Sequence, residues 1–142
     1  MEFRLKTSRR DLEATIQAII SAIAQERGVT VKESKLELTA PTSRLLDFRL
    51  TLGVKAMIVS AEVAARGKAE IGEDLAARIT AIEVEGEGMI ANMARGALEP
   101  QLAKIRGRAF PIAELKIPGL RVSDVAVAVA DDVELVVTLA QV

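Results

Sequence analysis

The chain reads as an α+β fold in which two amphipathic helices pack on one face of an antiparallel sheet. Three observations predict it. A capped helical segment follows residue 8, a second helical period covers residues 89–105, and the remaining apolar residues recur mostly every second position. The 142 residues, 50% of them hydrophobic and none of them Cys, suffice for a single domain (1–142) with its own core.

Glu2-Phe3-Arg4-Leu5-Lys6 alternates polar with apolar side chains and predicts a short first strand. Ser8 then caps a helix, with Asp11 three residues on in the manner of a capping box. Leu12, Ile16, Ile19, Ile20 and Ile23 follow at helical spacing, and Gly28 supplies the stop, since Gly takes a left-handed position cheaply.

From Val29 onward the period changes to two. Leu36 and Leu38 alternate with charged residues until Pro41-Thr42-Ser43, which predicts a break. Phe48, Leu50, Leu52 and Val54 give the cleanest alternation in the chain. Residues 56–65 fit one face of a helix or an alternating strand. The alternation of Met57, Val59, Ala61, Val63 and Ala65 favours a long strand that changes face through a bulge near Ala56–Ile58.

Gly72-Glu73-Asp74 predicts a turn, and Arg78 to Glu85 a further strand with Ile82 and Val84 facing inward. Gly86 and Gly88 bracket the entry to the second helix, whose apolar series is Met89, Ile90, Met93, Ala97, Leu98, Leu102 and Ile105. Pro100 lies inside it, which predicts a kink or break at Glu99–Pro100. Gly107 ends this helix, and Leu115 with Ile117 forms a short edge segment before Pro118-Gly119. Val125, Val127 and Val129, a turn at Asp131-Asp132, then Val133, Leu135, Val137 and Leu139 predict a closing hairpin.

Composition narrows the chemistry. There is no His, Cys, Trp or Tyr, and aromatic residues are 2% of the chain. The formal net charge of −1 and the lack of stacking side chains argue against a nucleic-acid partner. An enzyme here needs paired carboxylates, a Ser-Lys pair or a bound metal. The acidic candidates are Asp47, Asp74, Asp124 and Asp131-Asp132, together with Glu83, Glu85 and Glu87 on one strand face. Turn formation and a solvated face account for them, so no catalytic residue, metal or cofactor is expected. Gly86-Glu87-Gly88 lacks the third glycine and the Lys of a phosphate loop and serves as a tight strand-to-helix turn.

The helix faces carry the remaining signal. Ile16, Ile19, Ile20 and Ile23 on one helix and Ile90, Met93, Ala97 and Leu98 on the other pack directly on the sheet, or these residues without Leu98 line an aliphatic groove with Leu50, Leu52 and Val54. Arg95, Lys104, Arg106 and Arg108 gather toward the end of the second helix. They complement its dipole there or contact anionic lipid headgroups.

Several phrases add a family resemblance. They are Gln25-Glu26-Arg27-Gly28-Val29 closing the first helix, Asp47-Phe48-Arg49-Leu50-Thr51-Leu52, Gly86-Glu87-Gly88-Met89, Leu98-Glu99-Pro100 leading to Gly107-Arg108, and Leu115-Lys116-Ile117-Pro118-Gly119-Leu120 before a final strand pair. In this layout the chain resembles the single-module bacterial members of the tubular lipid-binding (TULIP) superfamily. The resemblance implies a highly curved antiparallel sheet wrapped around a long N-terminal helix, with a second amphipathic helix. It also implies non-enzymatic binding or transfer of a lipid or other hydrophobic small molecule, while peripheral membrane contact is the expectation that the basic residues Arg95, Lys104, Arg106 and Arg108 add. The rival expectation is an assembly domain with a filled core that oligomerises through strand edges. No apolar run is long enough for a membrane span and no leader pattern opens the chain. The expected location is cytoplasmic as the chain stands, or the envelope or periplasm if a leader has been removed.

Overall fold

Ser8 sets the first boundary as its cap predicts: its side chain accepts a hydrogen bond from the Asp11 N–H at 3.0 Å, and helix α1 runs from Arg9 to Gln25. The computed structural model describes residues 1–26, 28–114 and 116–142, with the side chains of Ile19, Ile23, Ala56 and Ile90 excepted. In chain order, strand β1 (Glu2–Ser8) precedes α1, and β2 (Thr30–Thr42), β3 (Leu45–Ala56), β4 (Val59–Ile71) and β5 (Ala76–Glu85) follow it. Helix α2 (Met89–Ile105), the three-residue β6 (Ala109–Pro111), β7 (Leu120–Val129) and β8 (Asp132–Gln141) complete the chain.

The strands form two antiparallel sheets, one of five strands in the order β2-β3-β4-β5-β6 and one of three in the order β1-β8-β7. This corrects the expected single curved sheet wrapped around a long N-terminal helix. Strand is the dominant structure, and each helix has only 17 residues. Length explains the division. A 17-residue helix covers about 26 Å, whereas the 13-residue strands β2 and β4 span about 43 Å.

The helices therefore cover one part of the large sheet's apolar face, over Leu36, Leu38, Leu50, Leu52, Val54 and Val63. The rest of that face, with Leu46 and Ile71, is covered by Val125, Val127, Leu135, Val137 and Leu139 of the small sheet. Two main cores result. Val133 packs at the edge of both.

Local details depart from the sequence reading in three places. The expected bulge near Ala56–Ile58 is a full chain reversal, because Ala56 pairs with Val59 across a two-residue turn at Met57-Ile58. Helix α2 runs through Pro100 without a break. Pro100 removes the donor that would serve the Gly96 carbonyl, but both residues are exposed, so water reaches that carbonyl. The short segment after the second helix forms at Ala109–Pro111 and pairs with β5, and Ile117 is not in a strand. Leu115 lies outside the described residues.

The β2–β3 turn joins the two sheets. The Val127 N–H donates to the Ser43 carbonyl at 2.6 Å. Next to it the Arg44 guanidinium donates to Glu73 Oε1 at 3.0 Å and Asp124 Oδ1 at 2.9 Å, linking the large-sheet turn to β7. On the helical side, Ser34 Oγ of β2 donates to Gln17 Oε1 of α1 at 2.7 Å. Among the described residues no helix is long and apolar enough to cross a membrane.

Candidate functional site

Strand alternation points Leu52, Val54 and Val63 toward the helices, and helical spacing brings Ile20 and Ala24 of α1 opposite Ala94, Ala97 and Leu98 of α2. Val29 and Val31 close one side. These residues line an apolar seam with a cavity of about 20 Å³. That volume holds about one water molecule, and every lining side chain is apolar, so the space has no polar partner to hold one. The helices meet across alanines, and the seam is closed.

The predicted groove residues are distributed unevenly about it. Ile20, Leu52, Val54 and Ala97 line the cavity. Ile16 packs on the same cluster, and Leu50 is buried in it. Met93 points away, 47% exposed. The side chains of Ile19, Ile23 and Ile90 lie outside the described residues. Sequence reasoning missed Val63, Val29, Val31, Ala24 and Ala94. The inward stripe of α2 is Ala91, Ala94, Leu98 and Leu102, all buried, rather than the series through Met89 and Met93. Their i, i+3, i+7, i+11 spacing was legible, but bulky side chains outweighed alanines in the reading. Alanine faces inward here because α2 lies close to the sheet, where larger side chains lack room.

The basic group near the end of α2 has a structural occupation. Arg95 Nε donates to the Val84 carbonyl at 3.3 Å, its Nη2 to the Gly86 carbonyl at 3.0 Å, and its Nη1 to Asn92 Oδ1 at 3.0 Å. Arg106 donates through Nε and Nη2 to the Ile82 carbonyl at 3.0 and 2.8 Å and pairs with Glu99 at 2.7 Å. The Gly107 N–H adds a bond of 2.7 Å to Ile79. These bonds cover the edge of β5 beyond its short pairing with β6, so that its carbonyls find donors without a neighbouring strand. Arg108 stands over the Phe110 ring, 5.5 Å from its centre, and Lys104 is exposed.

The opposite face of the large sheet carries a wider concavity of about 880 Å³, lined among others by Glu37, Asp47, Arg49, Arg66, Lys68, Glu83 and Arg106. The register sets Glu37, Arg49, Arg66 and Glu83 side by side across four strands. Arg49 and Arg66 are adjacent like charges, and Glu85 lies within 3.9 and 3.2 Å of them. Like charges opposite each other destabilise a sheet, and the shared carboxylate offsets this. Across the four strands the row carries two glutamates and two arginines.

Among the remaining acidic candidates, Asp74, Asp124 and Asp132 form ion pairs. Asp74 accepts from the Ala76 N–H and pairs with Arg78, both at 3.2 Å, while Asp132 pairs with Lys6 at 3.3 Å. At the sheet junction the Arg44 guanidinium, and then the Val125 N–H, hold the Asp124 carboxyl below the usual carboxylate range. The Arg4 guanidinium is pushed up by hydrogen bonds to Glu2 and Glu134.

Comparison of the chain with family models, curated proteins and solved structures returns no match.

Proposed function

We propose that this protein binds a lipid or other aliphatic molecule, without catalysing a reaction, between α1, α2 and the five-stranded sheet. One observation carries the reading: the interface between the two helices is an all-apolar seam closed by Ala24, Ala94 and Ala97. On its other side α2 is held by directional bonds from Arg95 and Arg106 to β5. Alanine contacts contribute less dispersion and burial than larger aliphatic pairs. The helices therefore part on the α1 side at lower cost than on the β5 side, and an acyl chain enters by widening the seam. Recognition by apolar burial alone implies loose selectivity among aliphatic chains. The resemblance to the tubular lipid-binding proteins belongs to the same proposal and supplies the ligand class.

Strand-edge assembly has less support. The free edge of β2 carries Lys32, Glu33 and Lys35 with an irregular register between Val31 and Glu33, which are features that discourage pairing with another chain.

Ala97→Phe tests the carrier reading. If the seam opens readily, the variant keeps its melting temperature and loses binding of a fluorescent fatty acid. If the helices are a fixed core, overpacking costs typically about 1–3 kcal/mol. That lowers the melting temperature by roughly 3–10 °C. Wild-type protein that neither binds the probe nor carries a co-purified lipid in native mass spectrometry would refute the proposal.

A further inference from the structure

The turn between β3 and β4 breaks the local rules that the rest of the sheet obeys. Two-residue hairpin turns take Gly, Asn or Asp where φ is positive, and the pattern with positive φ at the first position alone prefers Gly there. Here Met57 occupies that position at φ 58°, followed by Ile58. Their exposures are 92% and 93%. A side chain with a Cβ is strained in this conformation and gains no burial in return within the chain. The neighbourhood is apolar too. Val59 is 52% exposed, and α2 starts beside Glu62 and Val63, where Gly86 approaches both, so Met89 at 77% lies at the same end of the molecule.

We propose that this hairpin tip docks the protein on a lipid bilayer, inserting Met57 and Ile58 into the interfacial zone. Size and shape select the occupant. A stable protein interface takes roughly 20–30 residues a side with shape complementarity. This patch is a projecting turn with a few neighbours, too small for that and convex. A bilayer accepts a convex apolar wedge of any outline to a depth of about 5–10 Å. The charges that flank the tip along the chain, Lys55 and Glu62, are of opposite sign, so docking depends on burial rather than on anionic headgroups. The site lies at the opposite end of α2 from Lys104, Arg106 and Arg108. It also lies near the seam, since Val54 and Val63 of the seam are three and four residues from the turn and its first strand residue. The inference rests on the carrier reading only for what the protein does once docked.

The test is co-sedimentation with phosphatidylcholine vesicles, at low and high salt, of the wild type and of Met57→Gly/Ile58→Asn. The double variant installs the residues this turn prefers, so it folds at least as stably as the wild type. Wild-type protein partitions onto the vesicles at both salt levels, and the variant loses about tenfold or more of that partitioning. Fatty-acid probe binding in solution, measured on both proteins, stays equal. A wild type that remains in the supernatant, or a variant that partitions as well as the wild type, overturns the proposal. A wild-type dimer in analytical ultracentrifugation that the variant abolishes, without vesicle binding, overturns it in favour of a second copy of the chain. Vesicle docking by a wild type that binds no probe sinks the carrier reading and leaves the tip standing.

Discussion

Gly67 shows how much a single position decides. It sits in the middle of β4 opposite Phe48, and a Cβ there lies 2.4 Å from the ring's Cζ and 2.7 Å from the Ala81 carbonyl oxygen. The strand continues through this glycine because the Phe48 ring takes the space of the missing side chain. Gly67→Ala is expected to destabilise the fold by about 1–3 kcal/mol, the usual cost of overpacking. A lower urea midpoint with unchanged slope checks it. In a double-mutant cycle, Phe48→Leu/Gly67→Ala costs less than the sum of the single changes, but not zero, since the Ala81 carbonyl stays in place. Leu75 is the second non-glycine residue with positive φ, at 57°, and unlike Met57 it is buried, at 2% exposure, where its side chain fills the smaller sheet's core. Burial accounts for one strained residue and leaves the other unexplained by the fold.

At the scale of elements, α2 acts as a cover for the edge of β5. Its inward alanines allow close approach, and Arg95 and Arg106 supply donors to carbonyls that no strand reaches. Arg95→Ala leaves the half-buried carbonyls of Val84 and Gly86 short of donors, for an expected loss of about 1–3 kcal/mol. Amide hydrogen exchange over residues 89–95 should then accelerate by roughly tenfold or more. Arg108→Ala is the control, because an exposed cation over a ring contributes only about 0.5–1 kcal/mol. Equal effects from both changes would show that the strap is no firmer than a surface contact. The basic cluster was legible in the sequence as a group near a helix end. Its attachment was not, because the carbonyls it serves belong to a strand whose open edge follows from sheet topology.

At the scale of the molecule, the junction between the sheets depends on the Ser43–Arg44 turn and on apolar contact. Arg44 depresses the Asp124 carboxyl, so this pair favours the folded state above the ordinary carboxylate range, and the contribution disappears as pH falls through the lowered folded value. Both groups are exposed, which keeps the effect small and sensitive to salt. Arg44→Met should raise the Asp124 pKa toward the ordinary aspartate range, read by carbon NMR of the carboxyl. It should also flatten the acid limb of the melting temperature against pH, by lowering it slightly near neutrality, where the pair is charged, and leaving it unchanged at low pH. An Asp124 that titrates identically in both proteins refutes the assigned cause.

The sequence by itself determined where most elements begin and end and which residues face a core. Those features follow from contacts within a few positions: the Ser8 cap, the left-handed Gly28 at φ 74°, the alternation of β3, and the hairpin from Val125 to Leu139. Ile20, Leu52, Val54 and Ala97 each lie on the apolar stripe of their own element, and the structure sets these four along one seam. Only the tertiary structure decided that β1 pairs with β8 rather than extending the large sheet, that the seam leaves a cavity of only about 20 Å³, and that α2 turns Ala91 and Ala94 inward and its methionines outward. Periodicity reports which face of an element is apolar, not which distant surface covers it. That choice depends on the lengths of helix and strand, on the closeness of packing that small side chains permit, and on which backbone groups still need a partner when the sheets have formed.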